Sequence, residues 1–221
     1  MSGAPSPICR THDLTEAGAF FTQDVEGTPV LVTLDAHGTV RALQNLCRHQ
    51  GARLVHERQG VTKSFTCILH GWTYDADGSM GGAVLARLSQ NNPTLASMRA
   101  TNALTPLPYE LRHGFVWVMP RPREAIDVAA FLGPLDVELA ARGVEHWVVR
   151  ERTESPLEPG QIPKTTRLVF HDEVLSVYTV HRRRSETHFG HSTYGEETFS
   201  LEHMLLSPAS GAAPGTSPSS P

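Results

Sequence analysis

The sequence predicts a mainly β protein, in which a small antiparallel β domain is followed by a short α+β segment and a tail. Three stretches carry this prediction. PVLVTL at 29–34 is rich in β-branched residues and is followed by the turn signal DAHG and the run TVRALQN, which together predict a hairpin. SFTCIL at 64–69 predicts another strand before the turn DADG. LPYELRHGFVWVMP at 107–120 predicts two short strands around His113 and Gly114.

The character of the sequence changes after about Pro122. Residues 123–143 have helical spacing, with Pro134 early in the second half and Gly143 as the expected C-terminal stop. EHWVVRER then predicts one more strand. The last fifteen residues are small, polar and proline-rich, so they cannot bury a core and are expected to be disordered. The predicted units are a β domain at 1–122, a partial α+β domain at 123–206 and a disordered tail at 207–221.

The whole-chain composition argues against several classes of protein. The 221 residues are 39% hydrophobic, and no apolar run approaches the ~20 residues that span a bilayer. The N-terminus lacks a basic start followed by an apolar core, so no secretory signal is expected. A net charge of −4 argues against a nucleic-acid footprint, which needs a basic face. Cys9, Cys47 and Cys67 are few and odd in number, which disfavours a disulfide framework and favours a reducing, cytoplasmic compartment.

Two cysteines lie close to histidines in the sequence. Cys47 and His49 form a Cys-x-His pair, and Cys67 and His70 form a Cys-x-x-His pair after seventeen intervening residues. Both pairs lie where a predicted strand runs into a loop, and loop backbone allows two side chains to converge on one point. Four nitrogen and sulfur ligands from two loops can hold a zinc ion or an iron–sulfur cluster with mixed ligation.

The order of the donors along the chain separates these two options. Structural zinc sites more often pair cysteine with cysteine and histidine with histidine. Here each loop offers one thiolate and one imidazole, which suits a 2Fe–2S cluster with two cysteines on one iron and two histidines on the other. Gly51 and Gly71 follow the pairs, and a glycine there is expected to let the backbone pass close to the cluster. A zinc site remains the alternative.

The stretches CRHQGARL and CILHGWTYDADG resemble the Rieske domain of ring-hydroxylating non-haem iron oxygenases. The resemblance runs from about Gly27 to Pro120 and includes the GFVWV strand. It implies a Rieske-type β fold, a reductase or ferredoxin as electron donor, and an α subunit that can form a homo-oligomer. The implied ligands of a 2Fe–2S cluster are Cys47, His49, Cys67 and His70.

The resemblance also selects a subtype. Rieske proteins of respiratory cytochrome complexes carry two further cysteines joined in a disulfide, and this chain has Ala52 and Leu69 at those positions. It therefore resembles the low-potential oxygenase branch. Trp72 replaces a serine that donates a hydrogen bond to the cluster in the high-potential type, and loss of a donor lowers the potential. Tyr74 is expected to donate a remaining hydrogen bond.

In the family that the sequence resembles, a second domain of helix-grip shape holds a mononuclear iron through two histidines and a carboxylate. Its local signature resembles Glu-x-Tyr-His, four residues, then His. In the run LVFHDEVLSVYTVH, Tyr178 has the tyrosine position, but Ser176 and Thr179 stand where the glutamate and the first histidine belong. His181 aligns with the second histidine only after a deletion of about three residues.

The oxygenation site is therefore expected to be incomplete, and no catalytic residue is assigned. His188 and His191 could pair with His181 on local spacing, but an unstructured histidine-rich stretch is the favoured interpretation. The second half is expected to be a truncated or divergent remnant, or the product of a reading frame lost near Glu158. Three functions remain open: an oxygenase α-subunit homologue, a stand-alone ferredoxin-like carrier, and a zinc-bound β domain.

Overall fold

The computed structural model describes residues 3–81, 90–158, 167–189 and 192–209. The described strands are β1 (Ser6–Arg10), β2 (Ala19–Val25), β3 (Thr28–Leu34), β4 (Val40–Gln44), β5 (Gln59–Val61), β6 (Ser64–Thr66), β7 (Thr73–Asp75), β8 (Tyr109–Arg112), β9 (Phe115–Val118), β10 (Val148–Leu157), β11 (Arg167–His171), β12 (Val174–Phe189) and β13 (Ser192–Ser207). The α-helices are α1 (Pro93–Thr101), α2 (Val128–Leu132) and α3 (Pro134–Ala141). This composition confirms the prediction of a mainly β protein.

Three antiparallel sheets form the first part of the chain, in the strand orders β4-β3-β2-β5, β1-β9-β8 and β6-β7. The predicted hairpin is present as β3 and β4, with Val30 opposite Gln44. The two strands predicted around His113 and Gly114 are also confirmed, as β8 and β9. The strand predicted at 64–69 is shorter than expected, because β6 ends at Thr66 and the chain turns at Cys67.

Strand β3 contributes to two hydrophobic cores. Val30 and Val32 are fully buried in a cluster with residues of β1, β2 and β9, whereas Leu31 belongs to a second cluster with Phe65 and Tyr74. Successive side chains of a strand point to opposite faces, so the apolar run PVLVTL fills both cores. The second cluster lies beneath the loops that follow β4 and β6.

The predicted helical region splits into two helices at Gly133. Gly133 has a φ of 57°, and Pro134 occupies the first turn of α3, where its missing N–H has no helical acceptor to lose. At the start of α2, the Asp127 side chain accepts the backbone N–H of Ala130 at 2.9 Å. The interruption follows from the glycine–proline pair, which ends one helix and starts the next.

The last part of the chain forms a fourth antiparallel sheet, in the order β10-β13-β12-β11. The run LVFHDEVLSVY forms the β11–β12 hairpin, whose turn contains Asp172 with a φ of 53°. Leu175 and Leu206 of this sheet are fully buried against Phe115 and Trp117 of β9 in a third cluster. This hydrophobic cluster therefore joins residues on both sides of position 122, and the division of the chain there stays a prediction.

Arg10 connects the two parts of the chain. Its guanidinium is fully buried and donates to the backbone carbonyls of His113 and Val144 at 2.9 Å each. It also donates to the carbonyls of Glu145 and Trp147 at 3.1 Å each. Strand β1 itself pairs with β9, with Ser6 opposite Val118 and Arg10 opposite Phe115.

At the C-terminus, β13 ends at Ser207, so the first residue of the predicted tail is in a strand. Residues 210–221 of that predicted tail lie outside the described residues. Within the described part of the chain, none of the helices has the length and the apolar character that crossing a membrane requires.

Candidate metal centre

The two Cys–His loops are closed by the same backbone hydrogen bonds. In the first loop, the Cys47 N–H donates to the Ala52 carbonyl at 2.8 Å, and the Gly51 N–H donates to the Cys47 carbonyl at 2.9 Å. In the second loop, the Cys67 N–H donates to the Trp72 carbonyl at 2.8 Å, and the Gly71 N–H donates to the Cys67 carbonyl at 2.9 Å. The same tight frame therefore holds both predicted ligand pairs.

Gly51 and Gly71 have a conformational role in these frames. Their φ angles are 74° and 70°, in the left-handed region that disfavours residues with a Cβ. A Cβ added at either position would have no protein atom within 4 Å. Their φ angles therefore favour glycine at both positions, and the expectation that glycine lets the backbone pass close to a cluster stays a prediction.

The two histidines meet at the surface between the loops. His49 Nδ1 lies 3.2 Å from His70 Nδ1, and the ring centroids are 4.5 Å apart at an interplanar angle of 84°. The Trp72 ring stacks on the His49 ring at 4.9 Å and 14°. Trp72 thus supports one face of His49, a contact that sequence reasoning did not anticipate.

The two cysteines lie in the protein interior. Cys47 and Cys67 are each 2% exposed, are free, and share a hydrophobic cluster with Tyr74. The Tyr74 hydroxyl lies 3.3 Å from Cys47 Sγ and accepts the backbone N–H of Arg48 at 2.9 Å. Burial, followed by the hydrogen bond to Cys47, raises the pKa of Tyr74.

The donors of the two loops fit a group with two metals. The loops present an exposed imidazole pair and a buried pair of thiols. Two protein donors per metal is the ligand count of each iron in a Rieske-type 2Fe–2S cluster, in which sulfide completes the coordination.

Other polar residues near the loops have structural partners. Arg53 is ion-paired with the buried Asp24 at 2.5 Å. Arg48 reaches the Thr105 hydroxyl at 3.3 Å. Asn45 is fully buried and bonds both backbone groups of Val55, and sequence reasoning missed it. The only signal in the sequence was a polar residue two positions before a predicted ligand.

The residues that were compared with a mononuclear iron signature lie in strand β12. Ser176 and Thr179 are buried in that strand, and the Tyr178 ring stacks on His203 at 4.4 Å and 4°. The His203 Nε2 lies 3.2 Å from Ser176 Oγ. The side chains of His181, His188 and His191 lie outside the described part of the structure.

Comparison with known proteins places the loops in a defined family of domains. Residues 4–89 match the model of the Rieske [2Fe-2S] domain. The glycine betaine monooxygenase oxygenase subunit of Pseudomonas aeruginosa is 29% identical over 141 residues, covering 52% of this chain and 33% of the relative. The biphenyl 2,3-dioxygenase α subunit of Rhodococcus jostii is 40% identical over 67 residues, covering 30% of this chain and 15% of the relative.

A third relative is the α subunit of N,N-dimethyl phenylurea N-demethylase of a Sphingobium species, 36% identical over 111 residues, with 50% of this chain and 24% of the relative covered. The matched part of the chain thus spans a third or less of the length of these relatives. The relatives are oxidoreductases by name.

Solved structures share the fold. The apo form of the quaternary ammonium Rieske monooxygenase CntA superposes with a TM-score of 0.61 at 16% identity, covering 96% of this chain and 70% of that one. Naphthalene 1,2-dioxygenase from a Rhodococcus species gives a TM-score of 0.60 at 14% identity, covering 96% and 69%. The chain therefore contains a Rieske [2Fe-2S] domain and is homologous, over part of its length, to the α subunits of Rieske non-haem iron oxygenases.

Proposed function

We propose that this chain is an electron-transfer protein of the Rieske oxygenase family. Its cluster would be held by Cys47 and Cys67 on one iron and by His49 and His70 on the other. The observation that carries the proposal is the 3.2 Å approach of His49 Nδ1 to His70 Nδ1 between two loops of identical backbone frame. When bound, the cluster supplies one-electron chemistry.

The two ends of such a site differ in their exposure to solvent. The buried thiols keep their end away from water, whereas the histidine side chains lie at the exposed end. Electron exchange with a partner requires close approach, so we propose that the partner approaches the histidine end. Trp72 stacks on the His49 ring and would hold its plane, and the Tyr74 hydroxyl, 3.3 Å from Cys47 Sγ, would donate to a ligating thiolate.

We further propose the redox partners, the assembly and the location of this chain by analogy with its relatives. The electron donor is a reductase or a ferredoxin, the acceptor is a mononuclear iron oxygenation site, and the chain can assemble into a homo-oligomer. The three free cysteines agree with a cytoplasmic location. The relatives include monooxygenases and dioxygenases, and aromatic ring hydroxylation is the family activity with which we associate the chain.

The oxygenation site is the part of the proposal that this chain supports least. Ser176 and Thr179 are buried strand residues at the two positions where the signature has a glutamate and a histidine. This observation favours a second candidate function, a stand-alone Rieske ferredoxin-like electron carrier. In that case the Rieske domain would be the working part of the chain.

Analysis of iron, acid-labile sulfide and zinc in the full-length purified chain tests these proposals. Two irons and two sulfides per chain, with the electron paramagnetic resonance (EPR) signal of a mixed-ligand cluster after reduction, are expected. Additional iron without sulfide would favour the oxygenase subunit over the carrier. Stoichiometric zinc without sulfide would contradict both redox functions and support the zinc-bound β domain.

A further inference from the structure

The neck of each ligand loop, meaning the residues that flank the loop on both sides, is held together in a different way. The second loop continues into a ladder of three residue pairs between β6 and β7, beginning with Thr66 opposite Thr73. The first loop has no such ladder, because β4 pairs with β3 and ends at Gln44. Leu46 and Arg53 form a single isolated bridge at its neck. The first loop therefore needs another connection to hold its shape.

The side chain of Asn45 supplies that connection. Its Nδ2 donates to the Val55 carbonyl at 2.7 Å, and its Oδ1 accepts the Val55 N–H at 2.9 Å. Two facing residues of an antiparallel pair exchange the same two bonds through their peptide groups. A carboxamide carries the same donor and acceptor as a peptide group, so Asn45 replaces one rung of the missing ladder.

The backbone of Asn45 is bonded at the same time to the central sheet. Its N–H donates to the Pro29 carbonyl at 2.8 Å, and its carbonyl accepts the Leu54 N–H at 3.4 Å. Asn45 therefore lies between β3 on one side and residues 54–55 on the other. Val55 is 4% exposed, so water cannot readily replace the amide at its N–H and carbonyl.

We propose that Asn45 is a positioning residue for the first ligand loop. It lies two residues before Cys47 and four before His49, and its carboxamide fixes the neck from which both side chains extend. Through this neck it keeps the first ligand pair in register with Cys67 and His70. The inference rests on the proposed function, because it concerns how this chain holds a cluster, and Asn45 itself is not a ligand.

The test compares Asn45→Leu with a variant at the neck of the second loop, where the side-chain hydrogen bond is exposed. Thr66→Val removes the 3.0 Å contact between the Thr66 and Thr73 hydroxyls but leaves the β6–β7 ladder intact. The rate of iron loss from the loaded full-length chain to a chelator is measured for both. We expect a loss about 10- to 100-fold faster for Asn45→Leu, in line with the roughly 10- to 100-fold loss of metal affinity when residues that orient ligands are replaced, and within about twofold of wild type for Thr66→Val.

A readout other than iron loss separates positioning from general stability. The g values of the reduced cluster report on ligand geometry, and we expect them to shift in Asn45→Leu and not in Thr66→Val. The Asn45→Leu substitution should lower the free energy of unfolding of the metal-free chain by less than that of the loaded chain. The fluorescence of the buried Trp117 and Trp147 monitors unfolding in both cases. Asn45→Asp, which keeps the shape and the acceptor for Val55, is measured in parallel in case the leucine variant does not fold.

Three results would count against the inference or its premise. Iron loss and g values equal to those of the wild type would overturn the role of Asn45. Equal destabilisation of the metal-free and loaded chains would also overturn it, because Asn45 would then stabilise the fold in general. Wild-type and Thr66→Val proteins without iron and sulfide would instead refute the proposed function.

Discussion

The hydroxyl of Tyr74 lies 3.3 Å from the Sγ of Cys47. The same oxygen accepts the backbone N–H of Arg48 at 2.9 Å, so the hydroxyl proton is free to point at the sulfur. Tyr74 has no exposed surface, and its raised pKa keeps the phenol protonated at neutral pH. The centre thus has a neutral hydrogen-bond donor directed at one of its buried sulfurs.

Replacing Tyr74 by phenylalanine should lower the reduction potential of the chain. A hydrogen bond to a sulfur stabilises the more negative, reduced state, so its removal disfavours reduction. We expect a decrease of about 40 mV, which corresponds to a hydrogen bond of about 1 kcal/mol in a one-electron couple. Protein-film voltammetry measures the change. Tyr109→Phe in strand β8 is the control, and an equal potential in both variants would show that Tyr74 does not bond the cluster.

Replacing His70 by cysteine tests its assignment as a ligand. A thiolate brings more negative charge to the iron than an imidazole does, so the potential should fall by on the order of 100 mV or more. The visible spectrum should change with it. His146, whose side chain is 86% exposed, provides the control variant His146→Cys. An unchanged potential and spectrum in His70→Cys would remove His70 from the ligand set.

Truncation after residue 122 tests the predicted domain boundary. A fragment of residues 1–122 loses the acceptors that Val144, Glu145 and Trp147 give to the buried Arg10. A hydrogen bond to a charged group contributes roughly 1.5–3 kcal/mol, and water can replace the lost acceptors only in part, so this fragment should be less stable than one of residues 1–150. Urea unfolding of both fragments, each loaded with iron, measures the difference. Equal stability would establish residues 1–122 as an independent unit.

The ion pairs of Asp136 predict a loss of stability in acid. Hydrogen bonds from Arg112, and also from His113, hold the pKa of Asp136 down at about 2. The pKa in the unfolded chain is about 3.9, so this contribution is present above about pH 4 and is lost as the pH falls from about 4 to about 2. Thermal unfolding between pH 2 and 6 should show a smaller acid-dependent loss in Asp136→Asn. Asp172→Asn, in an exposed turn, should keep the wild-type profile.

One part of the proposed site stands out in the sequence and another does not. Cys47, His49, Cys67 and His70 stand out as the proposed ligands, because metal ligation needs particular residue types at short spacings. The hydrogen bond from Asn45 to Val55 could not be predicted, because the sequence does not show whether an asparagine is buried or exposed to solvent.

The same distinction applies to the fold. Local patterns predicted the β3–β4 and β8–β9 hairpins correctly, because each hairpin is determined by a turn and its flanking residues. They gave no indication that Leu175 and Leu206 would pack against Trp117. That contact joins residues far apart in the chain, and short-range periodicity contains no information about such pairs.

The pairing of β1 with β9 imposes an order on folding during synthesis. The hairpin of β2 and β3, with β4 and the β6–β7 pair, involves residues that are all available once about Asp75 has left the ribosome. Strand β1 must wait for Val118, and at 5–20 residues per second this delay lasts on the order of a few seconds. Both ligand loops are therefore complete on the nascent chain while its N-terminal strand is still unpaired.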